Sequence, residues 1–154
     1  MRLTSLFKVN PATGLSTFRI YLLRLYYILM ITVLGIDVWT AIFTHKEAWE
    51  PMTAVGYSVW ATFAVLSIIG LLHPVKMLPI ILLNITYKVI WLSIVAYPLW
   101  SLDQLEGSEA EGLTSSNFIG FIIDLLVIPW IYVFKNYILI GNRSNSWVTN
   151  LIMV

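Results

Sequence analysis

"MLPIILLNITYKVIWLSIVAYPLW", residues 77 to 100, is long and apolar enough to cross a bilayer, yet it carries a lysine, Lys88, near its middle. A spanning helix needs about 20 predominantly apolar residues, and this stretch supplies them. At about 1.5 Å per residue, Lys88 lies about 16 Å from Met77, close to the midplane of a hydrocarbon core about 30 Å thick. A charge at that depth calls for a partner or a task.

Three more apolar runs flank this one, at about residues 18–43, 54–72 and 118–140. The whole chain is 59% hydrophobic and only 11% charged, with a mean hydropathy of +0.84. Those values lie outside the range of soluble domains. The expected fold is all-α: a polytopic membrane protein, one domain over 1–154, built as an antiparallel bundle of four transmembrane helices. The first run starts well inside the chain, is too long for the apolar region of a signal peptide and lacks a small-residue cleavage site, so it is expected to stay as an anchor. With no cysteine, thiol chemistry, disulfides and cysteine-held metal centres are excluded.

Charge sorts along the chain. Arg2, Lys8, Arg19, Arg24, Lys76, Lys135 and Arg143 fall near the N-terminus, the second loop and the C-terminus. Lys46 stands in the first loop, and Glu47, Glu50, Asp103, Glu106, Glu109 and Glu111 lie in the first and third loops. The positive-inside rule then places both termini in the cytoplasm. The four-residue connection "HPVK", residues 73–76, makes its two helices antiparallel neighbours, with Pro74 preventing one continuous helix. The segment "SLDQLEGSEAEGLTSSN", residues 101–117, reads as a polar external loop, and residues 141–154 as a cytoplasmic tail with Trp147 at headgroup depth. Trp39, Trp49, Tyr97 and Trp100 would form an outer aromatic belt, and Tyr21, Tyr132 and Tyr137 an inner one.

Besides Lys88, two ionisable residues stand within the apolar runs, Asp37 and Asp124. Each lies about 9 Å in from the outer boundary, a depth that an outward-leaning lysine could reach. Intramembrane charges face the bundle interior and find partners, so Lys88 is expected to pair with Asp37, Asp124 or both. Asn84, Lys88 and Trp91 recur at i, i+4 and i+7 on one stripe. Met30, Val33, Asp37 and Thr44 form a stripe on the first helix that turns polar outward, and Asn117, Gly120 and Asp124 share a face of the last. These stripes imply an outward-facing polar pocket lined by Asp37, Asn84, Lys88, Trp91 and Asp124. A cluster that only fixes helix register is the structural alternative.

Arg19 and Arg24, in "TFRIYLLRLYY" (residues 17–27), either snorkel to lipid phosphates or hold an anionic headgroup or a cofactor phosphate. Pro129, in "VIPWIY" (residues 127–132), is expected to kink the last helix as a static bend or a hinge. Pro98 is expected to end the third. His45 and His73 fall on opposite sides, so they cannot share a metal or a haem within one protomer. Sequons at Asn84 and Asn142 lie in the bilayer and the cytoplasm, where glycosylation is not expected. No catalytic motif is present, no cofactor is implied by the residues themselves, and no basic run supports nucleic-acid binding.

The arginine-bearing first helix, "FRIYLLRLYYILMITVLGIDVW" (residues 18–39), and "IIGLLHPVKMLP" (residues 68–79), with its Gly-Leu and short basic turn, resemble the DoxX-like group of small four-helix bacterial membrane proteins. The resemblance covers roughly residues 18 to 100. It implies a small subunit of the bacterial inner membrane associated with quinone or redox partners, and it implies no role for Asp37, Lys88 or Asp124.

The leading functional expectation is an accessory or binding subunit whose pocket holds a lipid-like, quinone-like or other small amphipathic ligand. Two further readings are an oligomeric proton- or ion-coupled small transporter and a structural subunit of a larger membrane complex. The bilayer is the one partner common to all three, with a homo-oligomer or a membrane complex as a further expectation.

Overall fold

The structure is a computed structural model, and it describes residues 7–10 and 13–139. Arg2, Arg143, Trp147, the Asn142 sequon and the tail over 141–154 lie outside the described residues. Four helices are long and apolar enough to cross a membrane. They are α1 (Thr17–Thr44), α2 (Pro51–Leu72), α3 (Leu78–Ser101) and α4 (Ala110–Val127). A short helix, α5 (Trp130–Val133), follows. Among the described residues no strand forms, and one isolated bridge joins Val9 to Ser16.

Local chemistry sets the helix starts. Ser16 accepts the amide of Arg19 at 3.3 Å and opens α1. Glu50 opens α2, its carboxylate accepting Met52 N at 2.9 Å and Thr53 N at 2.6 Å, with Pro51 at the first helical position where its missing N–H costs nothing. These two amides hold the Glu50 carboxyl below its ordinary pKa. Before α4, Gly107 takes a φ of 75°, and its amide donates to Glu111 at 2.7 Å. A residue without a Cβ suits that left-handed turn.

Three expectations on boundaries change. The last helix begins at Ala110, well before residue 118, so the polar connection after α3 is about half as long as the segment 101–117. Thr114, read as loop, and Asn117, read at the loop's end, are both buried on that helix. Pro98 does not end α3, because the turn before it, Leu92–Ala96, is of π type and Tyr97 N–H reaches Leu92 O, five residues back. The widened turn shifts the ladder ahead of a residue that has no N–H to give, and the helix runs on to Ser101. Finally, Pro129 breaks its helix instead of kinking it. Ile128 is extended, with φ −61° and ψ 124°, as the residue before a proline prefers. Pro129 itself, with φ −78° and ψ 77°, forms an inverse γ-turn closed by Trp130 N to Ile128 O at 3.0 Å.

That break orphans carbonyls at the end of α4, and side chains take them. Trp130 Nε1 donates to Leu125 O at 3.0 Å, and Arg19 Nη1 to Leu126 O at 2.9 Å. A guanidinium at a helix C-terminus also meets the negative end of the macrodipole.

The helices pack in chain order, α1 on α2, α2 on α3 and α3 on α4, with α1 closing the ring on α4 through its first part, Thr17–Leu29. The core sits in that closed half. Leu23, Tyr27, Leu78, Ile81 and Ile128 are fully buried there. Tyr27 lies over Gly70 so closely that a Cβ at that position would come within 2.7 Å of the ring's Cζ, and its hydroxyl donates to Pro74 O at 3.2 Å. One tyrosine thus fastens α1 to both α2 and the tight turn after it. Beyond Leu29, α1 makes no comparable packing with α4. The bundle is open on that side.

Candidate functional site

Lys88 reaches across to α4 and meets Asp124, Nζ to Oδ2, at 2.8 Å. The pair is deeply buried, with Asp124 at 0% and Lys88 at 7% exposure. Gly120 makes the crossing possible. A Cβ there would fall 2.7 Å from Lys88 Nζ and 2.9 Å from Cε, so the lysine lies directly on the α4 backbone. The aromatic face of Tyr87, 5.9 Å from Nζ to its centroid, flanks the ammonium.

A hydrogen-bonded set surrounds this pair. Asn84 Nδ2 donates to the Tyr26 hydroxyl, and lies 3.6 Å from Met30 Sδ. The Tyr26 hydroxyl also faces Asp124, though no donor meets Asp124 Oδ1 with hydrogen-bond geometry. Further out, Tyr87 Oη donates to Asn117 Oδ1 at 3.0 Å, and Trp91 Nε1 to Thr114 Oγ1 at 3.4 Å. Each contact ties α3 to α1 or α4, so the buried polar groups also fix which faces meet.

Of the two carboxylates expected as partners of Lys88, Asp124 alone forms the ion pair, and Asp37 does not join it. The residue is exposed and, among the described residues, has neither ion pair nor hydrogen bond. Distance along the helix explains this. Lys88 turns to Asp124 over Gly120, and Asp37 sits on the part of α1 that no longer packs on α4. It borders a cavity of about 390 Å³ between the two helices. Leu29, Met30, Val33, Leu34 and Asp37 form one wall, Leu113, Ser116, Asn117 and Gly120 the other, with Asn84, Tyr87 and Lys88 as the floor and Trp60 at the side. Val33 is exposed, so this cavity is a cleft open to the flank of the bundle.

Of the expected pocket residues, Asp37, Asn84 and Lys88 line the cleft; Asp124 lies behind Lys88, and the Trp91 indole is spent on α4. Arg19 is engaged on Leu126 O, which leaves Arg24, exposed on α1, as the freer of the two arginines. Tyr26 is the member that sequence reasoning missed. Its signal was present: the stripe Met30, Val33, Asp37 continues one turn inward to residue 26. His45 and His73 cap the C-terminal ends of α1 and α2, at opposite ends of α2, and no group of three potential metal ligands occurs among the described residues.

No protein-family model, curated protein or solved structure matches this chain. The site therefore has to be interpreted from its own chemistry.

Proposed function

We propose that this protein is a small integral-membrane binding subunit that holds an amphipathic ligand in the cleft between α1 and α4. The observation that carries the reading is the cleft itself: about 390 Å³ of space with a largely apolar wall on α1, a mixed wall on α4 and a floor of fixed polar groups, Asn84 and Lys88. Ligand sites have this makeup, mostly apolar with a few placed polar groups. A lipid-like or quinone-like molecule would lay its tail along Leu29, Val33 and Leu34 and its head towards the polar groups of the cleft. The π-type segment Met30–Leu34 forms part of that wall, a feature frequent at functional sites.

The same reading takes both termini as cytoplasmic, in the inner membrane of a bacterium. Arg19, Arg24 and Lys76 gather at the closed end of the bundle, and the acidic connections lie at the end where the cleft opens. The cleft then faces the outer leaflet, and the resemblance of residues 18–100 to the DoxX-like group belongs with this assignment.

The test is the content of the cleft in protein purified into nanodiscs. Native mass spectrometry of the wild type is expected to show a retained small molecule that Ser116→Trp, which fills the cleft from α4, removes. Identical adducts on both proteins would count against a binding subunit.

A further inference from the structure

The charge balance inside the cleft points to the class of head group, an inference that rests on the ligand-holding reading above. Lys88 is already neutralised by Asp124 at 2.8 Å, so it brings no free positive charge to a ligand. Asp37 lies on the wall, exposed and without an ion pair or hydrogen bond among the described residues. An ionised carboxylate within a membrane-spanning helix is costly unless something compensates it. The cleft thus holds one carboxyl group that the protein gives no counter-charge, and a cationic ligand is a direct way to supply one.

The surroundings favour an organic cation over an inorganic one. Trp60 borders the same cavity, and aromatic faces attract ammonium groups while tolerating their alkyl substituents; the Tyr87 ring is already taken by Lys88 and Phe63. No group of three His, Cys, Asp or Glu side chains that could hold a metal exists among the described residues, so an inorganic divalent ion would find a single carboxylate in the cleft. From Trp60 a run of touching rings continues outward: Tyr57 at 5.6 Å, then Trp49 at 5.0 Å from Tyr57, then His45 at 3.8 Å from Trp49. The connections at that end carry Glu47, Glu50, Asp103, Glu106 and Glu109 against Lys46 alone. Such a collar raises the local concentration of cations. An anionic amphiphile meets the opposite field throughout, and a neutral quinone leaves Asp37 uncompensated.

We propose that the cleft takes a lipophilic organic cation, an alkyl amine or quaternary ammonium, whose head is held between the Asp37 carboxylate and the ring of Trp60.

The experiment measures binding in nanodiscs of zwitterionic lipid, with empty discs as the partition baseline. The probes are dodecyltrimethylammonium, dodecanol and dodecyl sulfonate. The wild type is expected to bind the ammonium in excess of baseline, with the sulfonate at baseline. Asp37→Asn is expected to weaken ammonium binding about tenfold, the scale of one charge-assisted contact, and Asp37→Glu to keep most of it. Asp37 is exposed and unpaired, so Asp37→Asn is expected to fold, and an unchanged melting temperature checks this. Binding of dodecanol at Ser116-sensitive affinity, with no preference for the ammonium or no loss in Asp37→Asn, would overturn the cation inference while leaving the cleft as a site. Binding of none of the three above baseline would overturn both.

Discussion

Two residues of the buried pair serve different ends, and substitution separates them. Lys88→Met leaves Asp124 buried and without its counter-charge, a change expected to cost about 3–5 kcal/mol. Removing both charges, as Lys88→Met with Asp124→Leu, is expected to recover most of that loss, because apolar side chains can fill the same interior. Reversible unfolding of the three proteins in mixed micelles measures the difference. Gly120 gives a second contrast on α4. Gly120→Ala places a methyl against the lysine stem and is expected to destabilise by about 1–3 kcal/mol, whereas Gly112→Ala, with nothing within 4 Å, gains about 0.5–1 kcal/mol from helix propensity. The sequence showed that Lys88 needed a carboxylate and that Asp37 and Asp124 stood at a suitable depth. Choosing between them needed the side-chain path, which passes over Gly120 and so turns to α4.

Among the elements, the ends of α2 and α4 show how local chemistry and packing divide the work. The Glu50 cap is local, and its pH dependence has a definite sign. Folding depresses the Glu50 pKa, so the cap contributes above the ordinary glutamate value and is lost as pH falls through the depressed folded value. The amides of Met52 and Thr53 are expected to shift together through that acidic titration, and Glu50→Gln to abolish the shift; NMR of the two amides checks it. The end of α4 is a tertiary matter. Trp130→Phe frees Leu125 O and is expected to cost about 1 kcal/mol, while Arg19→Met frees Leu126 O and removes a favourable charge at the helix terminus. A bound Arg19 is the reason its reading as a headgroup ligand weakens. Apolar length located α1, α2 and α3 well because hydrophobicity is what a membrane helix is made of. It failed at α4, where Ala110 to Asn117 is polar in composition and helical through its contacts with α3, and where Pro129 ends the helix inside an unbroken apolar run.

At the scale of the whole molecule, a ring of helices is closed at one end by Leu23, Tyr27, Ile81 and Ile128 and parts at the other. The parting is what makes a cleft, and it was not legible in any one helix. Periodicity named the polar stripes, but the separation of α1 from α4 beyond Leu29 belongs to the assembled bundle. Opening of the cleft beside Lys88 is the claim on which the functional proposals depend. The absence of cysteine allows it to be read by spin labels placed one at a time. Labels at Leu34 and Ser116, on the two cleft walls, are compared in nanodiscs with labels at Ile36 and Ile119, which are 66% and 61% exposed on the outer faces of the same helices. In protein stripped of ligand, a water-soluble nickel relaxant entering from the end with the acidic connections is expected to reach the labels at 34 and 116, while dissolved oxygen alone reaches those at 36 and 119. Equal exclusion of the nickel relaxant from all four positions would contradict an open cleft.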